Sequence, residues 1–416
     1  MSALRLHSRL AAAFALRALG LAVLGAALTS CSSTPSAPSN ALTIGLLLPF
    51  TGSSSGTASN FERAVLYAAD RVNAGGGVHG RPLRILSADT HSDLARAQQS
   101  AVELVNAGAT VIVGPESSEV ASELVPYLTA HQVAFLSPLV GAANDAQVDC
   151  RASWFRLAPS AQALGEALAK QAIAQKVGSI ALMYSRTAYD EALRDAVSTR
   201  FTSLRGTVRL TVGLDPNGQS YAAQVNEARA ADADAIVLTS SPRAGALVVN
   251  EFDALSATPP RWFLSPLLKT DLLVQNVAPE ALENARGIAP KIYDKSADFP
   301  TAFAARWQGD QPLEGAYFYY DAIALLAFAL DRATPNTDGT YDLRVLQSAV
   351  RAAAAPPGEA VGWNEIESGL SRQESGDSIY FSGLTGPLLF DACGDRALGS
   401  TSTWHVNSGT IITDGN

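Results

Sequence analysis

Two serine-containing motifs in the chain combine residue types that could do chemistry. The first, GSSSG at residues 52–56, has the GxSxG spacing in which Ser54 would be the nucleophile of a hydrolase. That chemistry needs a sharp turn from a strand into a helix, whereas residues 49–60 form a long polar connection. The base would be a histidine, and no candidate has a recognisable acidic partner. The candidates are His79, His91, His131 and His405.

The second motif is the pair Ser117 and Ser118, which follows a short apolar run. That run, Val111–Val113, is β-branched and too short for a helix, so it predicts a buried parallel strand. The residues after the serines have helical periodicity. Hydroxyls and free backbone N–H groups at such a helix start suit an anion, for instance a carboxylate. The alternative is that the two serines only cap their helix.

Strands and helices must alternate around these serines to hold them, and the sequence predicts such an alternation twice. The first set of strands is predicted at Leu42–Leu48, Leu83–Ser87, Val111–Val113 and Val133–Leu136. The second set is predicted at Ile180–Tyr184, Val208–Leu214, Ala235–Leu238 and Trp262–Leu264. Open α/β folds bind ligands at the carboxyl ends of their parallel strands. We therefore expect an α/β protein with two doubly wound Rossmann-like lobes, a hinge of several crossovers and a cleft between them.

The later part of the chain has fewer strand-like runs. Trp154–Leu157 and Ile288–Tyr293 are interpreted as crossovers between the two sets. The helices predicted after them are Pro300–Trp307, Ala316–Arg332 and Leu343–Ala354. Late strands are predicted at Thr385–Phe390 and Thr403–Val406. The glycine-rich segment at residues 75–80 spells GxGxxG, but it follows a helix and precedes a strand, so it predicts a helix stop rather than a phosphate loop.

The amino terminus indicates export. Residues 1–30 have three arginines before an apolar segment and no acidic residue, as in a secretory signal peptide. They end in LTSC, which resembles bacterial lipoprotein signals and implies lipidation of Cys31. Residues 31–41 are rich in serine and proline and predict a flexible tether. Attachment to a membrane would then come from lipid.

Composition sets limits on partners and cofactors. The chain has 416 residues and a net charge of -9, and removing residues 1–30 would take away three basic and no acidic residues. Such an acidic protein is a poor candidate for binding nucleic acid. The histidines and cysteines show no metal-ligand spacing, and no cofactor motif survives inspection. Cys150 and Cys393 predict either one disulfide or two separate buried thiols.

Several longer phrases resemble the periplasmic solute-binding proteins of ABC importers, in particular the leucine/isoleucine/valine-binding type. They are IGLLLPFTG (44–52), ADRVNAGGGVHGRPLRI (69–85), VIVGPESSEVASELVPYLTAHQVAFLSP (111–138), WFRLAPS (154–160), IALMYSRTAYDEAL (180–193) and TGPLLFDACGD (385–395). The resemblance implies one lobe from residues 42–157 plus 290–385 and another from residues 158–289 plus 386–416. It also implies a small-molecule ligand in the cleft, an ABC permease as partner and no enzymatic activity.

The resemblance also implies ligand-binding positions. Ser118 matches the carboxylate-binding serine, and the second ligand turn starts at Ser137 and ends at Gly141, where a threonine is usual. An aromatic position falls on Tyr189. An acidic residue that would pair with an ammonium group is expected near Leu267, where none occurs, so an ordinary α-amino acid is not the expected ligand. The remaining candidates are Ser117, Leu139, Val140, Ser241 and Arg186, with Arg243 beside them.

Three functions follow from these observations. The first is a lipid-anchored, extracytoplasmic solute-binding protein of an ABC importer, whose ligand is small and polar or carboxylated. The two arginines favour an anionic ligand. The second is a regulatory lipoprotein of the same fold that binds a protein, as some outer-membrane activators of cell-wall synthases do. The third is the hydrolase that would use Ser54.

Overall fold

Five parallel strands form the first sheet. The computed structural model describes residues 40–141, 154–255, 258–293, 298–396 and 401–414. The strands are β1 (Leu42–Leu48), β2 (Leu83–Asp89), β3 (Val111–Val113), β4 (Ala134–Ser137) and β5 (Trp154–Arg156). Their order is β2-β1-β3-β4-β5. Strands β1, β3 and β4 are buried along their whole length, which explains why they form almost unbroken apolar runs.

Helices cover both faces of this first sheet. Those that follow its strands are α1 (Ala58–Ala74), α2 (Leu94–Asn106) and α3 (Ser118–Ala130). Alternate residues of β1 enter different cores, since Leu46 packs with the apolar residues of α1 and Leu47 packs with those of α2 and α3. Asp93 accepts a hydrogen bond from Arg96 N and caps α2.

A second sheet of seven strands repeats this arrangement. Its strands are β6 (Ser179–Ser185), β7 (Thr207–Leu214), β8 (Ala235–Thr239), β9 (Trp262–Leu264), β10 (Arg286–Pro290), β14 (Thr401–Asn407) and β15 (Thr410–Thr413). Their order is β15-β14-β10-β9-β8-β6-β7, and β14 runs antiparallel to both of its neighbours, β10 and β15, while the other pairs are parallel. The helices are α4 (Ala161–Ala174), α5 (Ala188–Ser203), α6 (Ala222–Ala230), α7 (Pro242–Leu255) and α8 (Asp271–Val274). Separate apolar cores lie on its two faces.

The remaining elements pack mostly against the first sheet. They are α9 (Asp298–Arg306), α10 (Glu314–Arg332), α11 (Leu343–Ala353) and α12 (Ile366–Glu374), with the small sheet β11 (Glu359–Val361), β12 (Ile379–Gly383) and β13 (Gly386–Pro387). Short 3-10 helices lie at Pro266–Leu268, Pro279–Leu282 and Trp363–Glu365. Helix α10 is buried on nearly every side, which accounts for its continuous apolar sequence.

The two sheets have the same internal order. In the first, β1 lies between β2 and β3, and in the second, β6 lies between β7 and β8. The direction of the winding therefore reverses between β1 and β3 and between β6 and β8, and ligands bind beside such switch points. The expected doubly wound α/β fold with two lobes is confirmed.

Three predicted elements differ from the structure. Ile288–Tyr293 was expected to be a crossover, but its first three residues belong to β10, which pairs with β9 and β14 in the second sheet. Trp154–Arg156 was expected to be part of a crossover, but it pairs with β4 and completes the first sheet. The predicted strand Thr385–Phe390 is reduced to the two residues of β13. The backbone N–H groups of Leu384 and Thr385 donate to the buried carboxylate of Asp321 at 2.9 and 2.8 Å, so a side chain takes the place of a neighbouring strand.

Chain segments that pass between the lobes are held by a buried arginine. The guanidinium of Arg396 donates to the carbonyl oxygens of Leu157, Thr385 and Pro387. These carbonyls adjoin the predicted lobe boundaries, whose exact positions stay a prediction. Leu388, just beyond one boundary, still packs in the core of the first lobe.

Some sequence predictions fall outside the described residues. Cys31, Cys150 and the whole segment 1–39 are among them. Cys393 forms a disulfide bond, and its predicted partner is Cys150. Within the residues that the structure describes, we find no helix long and apolar enough to cross a membrane.

Candidate functional site

The start of α3 lies at the switch point of the first lobe. Ser117 caps the helix, since its hydroxyl accepts a hydrogen bond from Val120 N at 3.3 Å and donates to Glu119 at 3.0 Å. Ser118, the first residue of the helix, is only 5% exposed. The capping role is therefore observed for Ser117, while the neighbouring Ser118 occupies the buried helix start that suits an anion.

The start of α5 faces this point from the second lobe. Glu119, on the first turn of α3, accepts a hydrogen bond from Ala188 N at 2.8 Å. Ala188 is the first residue of α5. A second contact between the lobes is the ion pair of Lys269 with Glu314. The lobes thus meet through side chains that flank the two switch points, in a closed arrangement.

Buried hydroxyl groups line the ends of three strands in the second lobe. Ser185 ends β6, Thr239 ends β8 and Ser265 follows β9 directly. All three side-chain oxygens are buried and lack a hydrogen-bond partner among the described residues. Buried polar atoms are nearly always satisfied in folded proteins. Their concentration beside the switch point makes this end of the second sheet the candidate binding site.

An acidic side chain, Asp190, belongs to the same group. It is 2% exposed, and its Oδ2 atom accepts a hydrogen bond from Thr187 Oγ1 at 2.9 Å. Its Oδ1 atom makes no hydrogen bond of normal geometry, although the adjoining Thr239 hydroxyl lowers its pKa. Burial outweighs that effect and, with the nearby charge of Glu119, raises the pKa of Asp190 to about 7.

A second acid, Glu116, is half-buried and comes from the first lobe. It lies in the turn between β3 and α3, and its Oε2 atom is buried without a hydrogen-bond partner among the described residues. Burial raises its pKa to about 8. The buried phenol of Tyr319, on α10, lies close enough for the charge of Glu116 to raise its own pKa further. The Tyr319 hydroxyl is also unsatisfied.

Several residues predicted from the sequence meet in this region. The second ligand turn brings Gly141 against the ring of Tyr189, where an added Cβ would lie 2.8 Å from Cε2. The half-buried Leu139 lies beside Gly315 at the start of α10. Ser241 adjoins the end of β8 and caps α7 by accepting from Ala244 N at 3.3 Å. Their role in binding stays a prediction.

Other predicted residues do not line the buried site. Arg186 is exposed and packs over Gly213, and Arg243 is exposed and donates to the loop that contains Gly218. That these arginines favour an anionic ligand stays a prediction. Leu267 is 46% exposed.

Two further positions serve the first lobe's core. Val140 is fully buried among apolar side chains. The Ser137 hydroxyl accepts a hydrogen bond from Trp154 Nε1 at 2.8 Å, which ties β4 to β5.

Sequence reasoning missed both acids. Asp190 stands three residues after Thr187, so it looks like part of a helix cap, and its backbone N–H does donate to Thr187 Oγ1. Glu116 stands in a polar turn and was passed over for the serines that follow it. The signal that could have found them is shared position, because each lies within five residues of the end of a strand that borders a switch point, Glu116 in the turn after β3 and Asp190 in the first turn of the helix after β6.

The hydrolase motif lacks the geometry that its chemistry needs. Ser54 is exposed within a turn, and its backbone N–H donates to Ser92 Oγ at 3.0 Å. The helix starts only at Ala58, so there is no strand-to-helix elbow. His91 contacts Thr51 and Asp89 through the same Nδ1 atom, which is not the relay of a triad. Within the described ranges, no cluster of three or more metal-ligating side chains occurs.

Comparison with known proteins agrees with this architecture. A family model described as "Periplasmic binding protein" matches residues 41–355. The chemotactic signal transduction system substrate-binding protein BasB of Halobacterium salinarum is 28% identical over 220 residues, which make up 50% of this chain and 52% of that protein. The chain spans about half the length of the curated relatives it matches.

Solved structures share the fold over almost the whole length. The leucine-binding protein LivK of Thermotoga maritima has a TM-score of 0.74 at 19% identity, covering 90% of this chain and 98% of that one. A solute-binding protein of an ABC transporter from R. palustris, in complex with benzoate, has a TM-score of 0.72 at 18% identity, covering 90% and 96%. The chain thus belongs to the periplasmic binding protein family, whose members bind solutes rather than catalyse reactions, and it has the two-lobed type I fold of the LivK-like proteins.

Proposed function

We propose that the protein is an extracytoplasmic solute-binding lipoprotein of an ABC importer of the branched-chain amino acid type. One observation carries the proposal: unsatisfied polar atoms from both lobes collect at the two switch points, between lobes that are in contact. A small polar solute enclosed there would supply the missing hydrogen bonds. Closure around it would create the form that a permease recognises.

The start of α3 supports a carboxylated solute. Ser118 is buried at the amino end of a 13-residue helix, where unpaired backbone N–H groups and the helix dipole attract a negative group. The benzoate-bound relative and the leucine-binding protein both have the same fold. Lipidation at Cys31 would keep the protein at the membrane that holds the permease.

The regulatory alternative differs in what enters the cleft. A protein partner would bind to the outer surface of the lobes, and it would leave the enclosed hydroxyls of Ser185, Thr239 and Ser265 unsatisfied. The burial of these groups favours a small solute instead.

A thermal-unfolding screen tests the proposal. The purified mature protein would be heated with L-amino acids, aliphatic and aromatic carboxylates, amines, amides and sugars, each at about 1 mM. A solute present at 100 times its Kd adds about 2.7 kcal/mol, so the expected rise in Tm is about 5 °C or more.

Two variants give the screen its specificity. Ser118→Ala should weaken binding of a carboxylated solute by about tenfold, since a hydrogen bond to a charged group contributes about 1.5–3 kcal/mol. Ser54→Ala, a serine on the exposed turn, should leave binding unchanged. If no compound in the screen raises the Tm of the wild-type protein, the transport function is wrong.

A further inference from the structure

A group of buried polar side chains lies at the amino-terminal edge of the first sheet, the edge opposite the switch point. His79 is in the turn that leads into β2, and Asp331 is in the last turn of α10. Asp331 is 8% exposed, and its Oδ2 atom accepts a hydrogen bond from Gln373 Nε2 at 2.7 Å. Its Oδ1 atom has no hydrogen-bond partner among the described residues. Buried carboxylate oxygens are nearly always paired, so this one needs an explanation.

The ring of His79 turns a nitrogen without a proton toward that oxygen. Its Nε2 atom lies 3.3 Å from the carbonyl oxygen of Ala333, and since a carbonyl can only accept, Nε2 is the nitrogen that carries the proton. In the neutral ring, Nδ1 then has a free lone pair, and it lies 3.8 Å from Asp331 Oδ1. That distance is too long for a hydrogen bond. Two electron-pair donors therefore face each other across a gap.

The other two histidine–aspartate pairs among the described residues have closer contacts. His405 Nδ1 lies 2.6 Å from Asp414 Oδ1, and His91 Nδ1 lies 3.3 Å from Asp89 Oδ2. A single proton between nitrogen and oxygen satisfies each of these pairs. The wider gap of the first pair fits a metal ion instead, because bonds from zinc to nitrogen and oxygen are about 2.0–2.2 Å and one ion joins donors up to about 4 Å apart.

Two further oxygen atoms without partners lie around Asp331. Gln373, which donates to Asp331 Oδ2, has an unsatisfied Oε1 atom, and the buried Tyr341 has an unsatisfied hydroxyl. Burial raises the pKa of Tyr341 and the charge of Asp331 adds to this effect, so these two side chains are near each other. An ion with several ligands can use these oxygens, whereas a proton between His79 and Asp331 cannot. Only two of the four side chains are a histidine or an acid, so the group is smaller than a cluster of three such ligands.

Two arginines near the group are directed elsewhere. The guanidinium of Arg332 donates to a backbone carbonyl of β12, and that of Arg81 donates to the backbone carbonyls of Asn40 and Gly339. Their charges reduce the affinity of the group for a cation. The carbonyl end of the α10 dipole acts in the opposite sense and attracts one.

We propose that this group is a binding site for a divalent transition-metal cation, with His79 Nδ1 and Asp331 Oδ1 as its main ligands and with Gln373 and Tyr341 as further oxygen donors. Imidazole selects ions such as Zn²⁺ and Ni²⁺ over Mg²⁺ and Ca²⁺. The His79 side chain is 36% exposed, which gives the ion access from solvent. A bound ion would join the turn before β2 to the ends of α10 and α12. The inference goes beyond the proposed solute-binding function and does not depend on it.

Calorimetric titration of the untagged, metal-free mature protein with Zn²⁺ tests the site. We expect one Zn²⁺ to bind per chain, Ni²⁺ to compete with it, and Mg²⁺ and Ca²⁺ to give no heat. His79→Gln keeps a donor for the Ala333 carbonyl and removes the free lone pair of Nδ1, so it should weaken Zn²⁺ binding about tenfold or more. Tyr341→Phe removes only an unsatisfied hydroxyl and should weaken binding by a smaller factor.

The matched control is His405→Gln, which alters a histidine–aspartate pair that already has a direct hydrogen bond and should leave Zn²⁺ affinity unchanged. Circular dichroism verifies that each variant folds. The site is wrong if the wild-type protein binds no Zn²⁺, or if His79→Gln binds it as tightly as the wild type does. An equal loss of affinity in His405→Gln and His79→Gln would also overturn the assignment. None of these results bears on the solute screen, which tests the cleft at the other edge of the sheet.

Discussion

At the scale of single residues, the site concentrates carboxyl groups whose ionisation is disfavoured by burial. Burial raises the pKa of Asp190 to about 7 from its ordinary value of 3.8, and that of Glu116 to about 8 from 4.5. The groups that face Asp190 are Thr187 on its own helix, Thr239 from β8 and the acidic Glu119 from α3. None of them supplies a positive charge that would restore an ordinary pKa.

The sign of the resulting pH dependence follows from linkage. Both pKa values are higher in the folded protein than in the unfolded chain, so the folded state holds more protons between about pH 4 and pH 8. Stability from these groups is therefore fully present below about pH 4 and is lost as the pH rises through 7 and 8. Asp190→Asn, which cannot ionise, should raise the Tm of the solute-free protein by about 2 °C or more at pH 8.

The same comparison at pH 5 should show a smaller gain than at pH 8, because the loss of stability begins where the unfolded Asp190 ionises, near pH 4, and continues up to about pH 7. Scanning calorimetry between pH 5 and 9 measures both effects, with Glu103→Gln as the control that should follow the wild-type curve. A constant difference between Asp190→Asn and the wild type at every pH would contradict the assigned titration.

How much of the site the sequence predicts also depends on individual residues. The region around Ser118 is identified by its strand-turn-helix pattern, and the helix start is where that pattern places it. Burial is a property of the folded chain, so Arg186 and Leu267 could not be recognised as exposed. The burial of Asp190 is likewise a property of the folded chain, so from the sequence alone this residue looks like part of a helix cap.

At the scale of elements, hydrophobic periodicity predicts the helices and strands whose contacts are confined to one sheet and its covering helices. The strands β1, β3 and β9 have the predicted bounds because they are short apolar runs with both faces buried. The elements it misses depend on distant partners. Strand β12, for example, pairs with β11 and β13 in a small separate sheet. Strand β5 is only three residues long and is recognised as a strand through its pairing with β4 at the edge of the first sheet.

Buried hydrogen bonds from Arg396 connect elements that periodicity cannot connect. Its planar guanidinium reaches carbonyls at Leu157, Thr385 and Pro387 together, a geometry that a single ammonium group cannot reproduce. Arg396→Lys should therefore lose at least one charged hydrogen bond, at about 1.5–3 kcal/mol, and lower the Tm by about 5 °C.

The comparison variant is Arg372→Lys. Arg372 is on the surface of α12 and pairs with Glu359 and Asp377, both largely exposed, so its replacement should leave the Tm unchanged. Thermal unfolding by circular dichroism measures both. Equal Tm values for Arg396→Lys and the wild type would show that the three carbonyls are satisfied in another way.

At the scale of the whole molecule, two sheets of equal strand order place their switch points against each other, and few contacts hold them there. The described polar contacts near the site include the Glu119 hydrogen bond to Ala188 N, the ion pair of Lys269 with Glu314 and the hydrogen bond from Ala161 N to Gly141 O. An interface with so few polar links can open, as hinged two-lobed proteins do. The bound solute then supplies much of the closing free energy.

The Lys269 ion pair allows this closing equilibrium to be measured. The Lys269 side chain is 9% exposed and that of Glu314 is 45% exposed, so Lys269→Met leaves behind an acid that water can still hydrate. The loss should be about 1 kcal/mol of closing free energy, which corresponds to a Kd about fivefold higher for any solute that requires closure. Stopped-flow measurements should assign most of the change to faster dissociation.

Small-angle scattering provides an independent measure of the same equilibrium. With a saturating solute, the wild-type protein should show a smaller radius of gyration than without it, and Lys269→Met should need more solute to reach the same value. Lys170→Met, which removes a surface partner of Glu166 within α4, should behave as the wild type. If Lys269→Met binds the solute as tightly as the wild type does, closure does not depend on this ion pair. The solute and the contact at Glu119 would then hold the lobes closed.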